Sequence, residues 1–153
     1  MDITAESVPL VRNALREVLE SHAADRLVGV SCIAAGADSL FAEMVIEVGG
    51  RLVAVIPSRN YRATKVHGEH AQVFDRLVEA AAEVVVLPYD TADRKAYEAA
   101  NSVLLERADR LVAVWDGMPP SGKGGGTADT VLEARKAGLA VDVVWPTGAA
   151  RRG

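Results

Sequence analysis

A single cysteine, Cys32, stands in 153 residues, so no disulfide can form within the chain and a reducing compartment is the simpler setting. It lies inside an apolar run and reads as a small buried hydrophobe. No apolar run is long enough to span a bilayer and no secretory leader is evident, which points to the cytoplasm and away from a membrane partner. Clustered Lys and Arg are also missing. Seventeen basic against 21 acidic side chains leave a formal charge of -4. A general nucleic-acid surface needs basic clusters to neutralise phosphates, so no nucleic-acid partner is expected, whereas one small nucleotide needs only a local site. Metal-ligand clusters are absent too. His67 and His70 flank Glu69 with no second group of ligands, so they read as a solvated helix face and no metal is expected.

What is present is an even, globular composition. Half of the residues are hydrophobic and 25% are charged, which fits one domain over residues 1–153 with a substantial core and no disorder. Val8 to Ala23 has a helical period, with Val11, Leu15, Val18 and Leu19 in one stripe and Thr4 or Ser7 as cap. His22 ends that helix, where a cation suits the dipole. Strands are expected at Leu27–Ile33, Leu52–Ile56, Glu83–Leu87, Leu111–Trp115 and Ala140–Trp145. Between them, helical patterns follow Gly36, run from His67 to Ala82, from about Asp93 to Ala108, and begin again at Thr127. Strict alternation of this kind predicts an α/β fold, a three-layer sandwich around a mostly parallel sheet of about five strands. Residues 146–153 read as a polar tail, with Arg151 and Arg152 solvated.

The chain is organised around Ala108–Ala137. Leu111–Trp115 reads as a strand buried on both faces, then come Asp116-Gly117, two prolines and the run Gly124-Gly125-Gly126, and Thr127 opens a helix. Val131, Leu132, Ala134 and Ala137 fall on its inner side. Glycine amides and the positive end of the helix converge there, and Lys123 adds a cation, so the loop predicts a phosphate cradle. In open parallel sheets, ligands sit beyond the carboxyl ends of the strands. The other loops at that rim supply Gly36, Ala37 and Asp38, then Ser58, Arg59, Asn60, Tyr61 and Arg62, and also Tyr89. Guanidinium groups hold phosphate and tyrosine rings stack on a base, so this rim suits a nucleotide or nucleotide derivative. Asp38 suits a ribose hydroxyl or a helix cap equally. Asp116 suits a sugar hydroxyl, or the ordering of the Gly117 turn. Trp115 and Trp145 read as packing residues.

Gly36-Ala37-Asp38 after one strand, Pro57-Ser58-x-x-Tyr61 after the next, and Asp116-Gly117 with Gly125-Gly126-Thr127 after a later one resemble the Rossmann-like SLOG superfamily. That group includes the LONELY GUY phosphoribohydrolases, the molybdenum-cofactor carriers and the Smf proteins. The resemblance implies binding of a nucleotide-derived ligand, with Gly125, Gly126 and Thr127 at its phosphate. Two departures qualify what it implies. The phosphoribohydrolases place a reactive glutamate three residues after the threonine, where this chain has Thr130, which cannot stabilise an oxocarbenium-like centre. The remaining candidates for a catalytic carboxylate are Asp116, Asp129 and Glu133. The family also opens with a strand in the middle of its sheet, whereas here Met1 directly precedes a helix. A truncated reading of a longer protein is the expectation, since loss of a central strand exposes two edges. Weak binding, or a dimer covering the gap, would follow, and a homo-oligomer is left open.

Three functions follow. The first is binding or sensing of a nucleotide-derived small molecule with no cofactor required. The second is an N-glycosidase acting on nucleoside monophosphates, and the third is a non-catalytic protein-interaction subunit.

Overall fold

The computed structural model describes residues 3–22, 26–120 and 126–151. Strands β1 (Val28–Ser31), β2 (Arg51–Ile56), β3 (Glu83–Val86), β4 (Arg110–Val114) and β5 (Ala140–Val144) alternate with helices. These are α1 (Val8–His22), α2 (Ala37–Glu47), α3 (Tyr61–Lys65), α4 (Glu69–Ala80), α5 (Arg94–Arg107) and α6 (Thr127–Lys136). Every ladder is parallel. β2 lies between β1 and β3, with Val30 opposite Val53 and Val55 opposite Val85. β4 pairs separately with β5, Val112 opposite Asp142. Among the described residues no ladder joins β1 to β4.

The core follows from the two periods of the chain. In β2, side chains alternate between faces, and both faces are covered, so Leu52 to Ile56 are all buried. Leu52, Ala54 and Ile56 join one cluster with Leu15, Met44 and Leu77, whereas Val55 joins a second with Cys32, Leu87 and Ala100. Helices α1, α2 and α4 supply the first cluster and α5 the second, which makes the three layers. On α1 the stripe is Val11, Leu15 and Leu19, and on α4 it is Phe74 and Leu77. Burying each such side chain contributes about 1.5–3 kcal/mol. The surface pairs Arg12–Glu43 and Arg16–Glu47, which join α1 to α2, add little by comparison. Asp93 caps α5 by accepting from the Ala96 amide at 3.0 Å.

The structure corrects four expectations. In β4, Leu111 and Val112 are only half-buried, because among the described residues no strand flanks them on the side towards β1. On α6 the buried stripe is Ala128, Val131 and Ala134; Leu132 is exposed and Ala137 lies just past the helix end, also exposed. A short helix, α3, occupies what reads as an open loop after Pro57. The carboxyl-terminal segment folds back: the Thr4 amide donates to the Ala150 carbonyl at 3.0 Å, and Ile3 pairs antiparallel with Arg151. Among the described residues no helix is long and apolar enough to cross a membrane.

Candidate functional site

The loops at the carboxyl ends of β1, β2 and β4 meet around a cavity of about 1130 Å³. Ala37, Asp38, Tyr61, Asp116, Gly126 and Thr127 line its rim. Gly36, Ser58, Arg59 and Gly117 sit in the same loops but outside the lining. Lys123, Gly124 and Gly125 lie outside the described residues.

The turn after β1 carries strain. Ile33 is fully buried and has φ of 55°, a left-handed conformation uncommon for a β-branched side chain and costing about 1–3 kcal/mol. Polar contacts hold it there. The Ile33 amide donates to Ser31 Oγ at 3.1 Å, and its carbonyl lies 3.0 Å from His70 Nε2. His70 is therefore tied to this turn rather than standing on a solvated face, which corrects the sequence reading. Gly36, with φ of 92°, completes the turn and delivers Ala37 and Asp38 to the amino end of α2. Asp38 is half-buried, and it lines the cavity wall. Burial therefore pushes this carboxyl above the usual carboxylate range, partly offset by a backbone hydrogen bond from Ala34.

The loop after β2 is committed largely to internal bonds. Ser58 is completely buried and donates to Asn60 Oδ1 at 2.8 Å, and that oxygen also accepts from the Ala92 amide at 3.2 Å. Arg59 donates to Asp90 at 2.6 Å, and Arg62 holds Asp75 through two bonds of 2.7 and 2.9 Å. Tyr61 is packed edge-on or tilted against Phe74 and Tyr97, with ring centroids 5.9 and 6.4 Å away. Burial raises its hydroxyl pKa well above the ordinary value. Cys32 is affected likewise by burial, so its thiol stays protonated and non-nucleophilic.

After β4, both carboxylate oxygens of Asp116 are engaged. One accepts from the Met118 amide at 3.0 Å, ordering the turn in which Gly117 has φ of 85°; the other takes Arg151 Nη1 at 3.2 Å. Arg151 is exposed, as a solvated tail would have it, and it also borders the cavity through this pair; Arg152 lies outside the described residues. Trp115 packs as expected, its indole donating to the Met118 carbonyl at 2.9 Å with Arg135 over the ring. At the start of α6, Asp129 Oδ2 accepts from the Gly126 amide at 3.2 Å, and Thr130 Oγ1 bonds back to the Gly126 carbonyl at 3.2 Å. Glu133 is exposed on α6, outside the cavity lining. Among the described residues no three His, Cys, Asp or Glu side chains gather as a metal site would require.

Tyr97 and Arg151 are the rim residues that sequence reasoning passed over. Tyr97 lies in the first turn of α5 and reaches the site only because Asp93 starts that helix at the same end of the sheet. The cue available in the sequence was a tyrosine four residues after a capping aspartate. Together these groups place the start of α6, with its Gly126 amide taken by Asp129, the half-buried Asp38 and the Tyr61 and Tyr97 rings around one cavity.

No protein-family model matches the chain, and no curated protein matches it. Among solved structures, the X-ray structure of DNA processing protein A from Streptococcus pneumoniae superposes with a TM-score of 0.67 over 95% of this chain, at 16% identity. The match covers 47% of that protein, so this chain spans about half its length. The likeness shows a shared Rossmann-like α/β fold.

Proposed function

We propose that the cavity binds a nucleotide-derived small molecule, as a binding or sensing domain of the SLOG kind. One observation carries the reading: Asp38 and the amino end of α6 at Gly126 and Thr127 wall the same cavity at the carboxyl end of the sheet. Amides at a helix start attract a phosphate, and a carboxyl sheltered from water accepts from, or donates to, a sugar hydroxyl. Strain at Ile33, next to Asp38 in the fold, is of the kind that collects at binding sites.

The enzymatic alternative has less support. Asp116 and Asp129 have their carboxylates engaged in turn and cap bonds, Glu133 lies off the cavity, and the position three after Thr127 is a threonine whose hydroxyl bonds its own helix. The DNA processing in the structural neighbour's name also transfers poorly. The net charge is -4, and Arg59, Arg62, Arg107, Arg110 and Arg151 each already face a carboxylate. Calorimetric titration with AMP, ADP-ribose and NAD, followed by chromatography for released base, tests the reading. Saturable binding without base release is expected. Release of base would replace it with the glycosidase reading, and absence of binding to all three would remove it.

A further inference from the structure

Far from the cavity, β3 forms an open edge. It ends the row β1, β2, β3, and among the described residues no backbone group pairs with its outer side. Such edges are usually blunted by lysine or proline, or covered by another element. Here Val84-Val85-Val86 carries neither charge nor proline, and Val84 and Val86 are 41% and 51% exposed. Their partners across the ladder, Ala54 and Ile56, are buried in one cluster with Phe74 and Leu77 of α4. That cluster stops short of the β3 side chains on the same face.

The backbone of the edge has a defined set of donors. Successive residues of a strand turn their N–H and C=O alternately to the two sides. The Leu87 amide donates to the Ile56 carbonyl at 3.0 Å, so Val85 and Leu87 face β2 while Val84 and Val86 face outwards. Pro88 falls in the outward set and has no N–H, which ends the set on one side. On the other, the Ala82 amide is already taken, donating to the Leu52 carbonyl at 2.8 Å.

We infer that β3 pairs antiparallel with β3 of a second copy of this chain, about a two-fold axis at Val85, joining two three-strand ladders into one continuous sheet. The register follows from the donors. With Val85 opposite its own counterpart, Val84 of each copy faces Val86 of the other, and each such pair exchanges both of its N–H···O=C bonds. Ala82, whose amide is taken, then faces Pro88, which has none. Sliding the pairing by two residues sets a valine against Pro88 or Ala82 and loses bonds. In the favoured register the exposed valines of both copies meet on one face as an apolar cluster. Charge at the two ends is complementary. Glu83, at the amino end of β3, is held by Arg107 at 2.9 Å, and Asp90, beyond its carboxyl end, by Arg59 at 2.6 Å. Antiparallel pairing turns the first ion pair of one copy towards the second ion pair of the other, so each junction holds two cations and two anions. Val84, Val85 and Val86 lie outside the cavity lining, so this contact is independent of the ligand reading.

The test is sedimentation equilibrium of the full chain from about 10 µM to about 1 mM, a range suited to a small interface, with amide exchange followed over the same range. A concentration-dependent dimer is expected. As it forms, exchange at Val84 and Val86 should slow by about tenfold or more, while Val85, which faces β2, keeps its rate. Val84→Lys with Val86→Lys sets like charges opposite one another and should leave only monomer, and so should Val84→Glu with Val86→Glu. Both positions are exposed, so circular dichroism should show an unchanged fold. Mixed in equal amounts, the two variants should recombine as a heterodimer. A parent chain that stays monomeric throughout would overturn the inference, as would a dimer that survives the double lysine substitution or variants that do not recombine. So would a parent dimer without added protection at Val84 and Val86, a readout that needs no variant.

Discussion

At the residue scale, the buried Asp38 carboxyl connects function with stability. Its pKa is raised by burial, so the native state favours the protonated form. Below the unfolded value of about 3.9, both states are protonated and the group costs nothing. As pH rises from there towards the native pKa, the unfolded carboxyl ionises first, and native stability falls until the native group ionises as well. Asp38→Asn removes that penalty, so its Tm gain over the parent should be larger at pH 7 than at pH 3.5, measured by calorimetry in parallel. The same variant should weaken nucleotide binding by up to about tenfold, the loss of one hydrogen bond to the ligand. A variant equally stable relative to the parent at both pH values would contradict the burial of this carboxyl. Asp38 was legible from its place after a small-residue turn. Its desolvation was not, because the packing that keeps water from it forms only in the fold. The same holds for Arg151, whose partner Asp116 lies 35 residues away.

At the element scale, β1 and α2 pack so closely that Gly29 has no substitute. A Cβ placed there would lie 2.4 Å from Val45 Cγ2 and 3.2 Å from Phe41. Val45 is fully buried and its branched side chain has little freedom to yield. Gly29→Ala should therefore lower stability by about 1–3 kcal/mol, readable in urea unfolding. A neutral outcome would mean that α2 shifts without cost. The start of α6 offers the opposite test. Asp129 occupies the Gly126 amide that an incoming anion would use. Asp129→Ala should cost about 1 kcal/mol of stability through loss of the cap contact, yet tighten AMP binding by removing a competing negative charge. A loss of affinity would instead assign the carboxylate to the ligand. Strands and helices at this scale were legible to within a residue or two, since alternating apolar runs and helical stripes are local signals. Helix α3 escaped, because five residues carry no period, and the exposure of Leu132 escaped because it depends on what lies opposite α6.

At the scale of the whole molecule, two layers of helices enclose a sheet interrupted between β1 and β4, with the candidate site at the open end of the interruption. Stability rests on the larger cluster around Leu15, Met44, Leu52 and Leu77. Leu77→Ala, remote from the cavity lining, should cost about 2–5 kcal/mol in chemical unfolding while leaving nucleotide affinity unchanged in the folded protein. The parallel three-layer architecture was legible from alternation alone, and a missing central strand was expected from the resemblance. The depth of the cavity was not, because it depends on helices of both layers facing the interruption between β1 and β4.

Backbone amide NMR during titration with AMP reports on the cavity residue by residue. Saturable shifts are expected, concentrated at Ala37, Asp38, Gly126 and Thr127, and lost in Asp38→Asn. Shifts confined to residues outside the cavity, or none at millimolar AMP, would contradict nucleotide binding in the cavity.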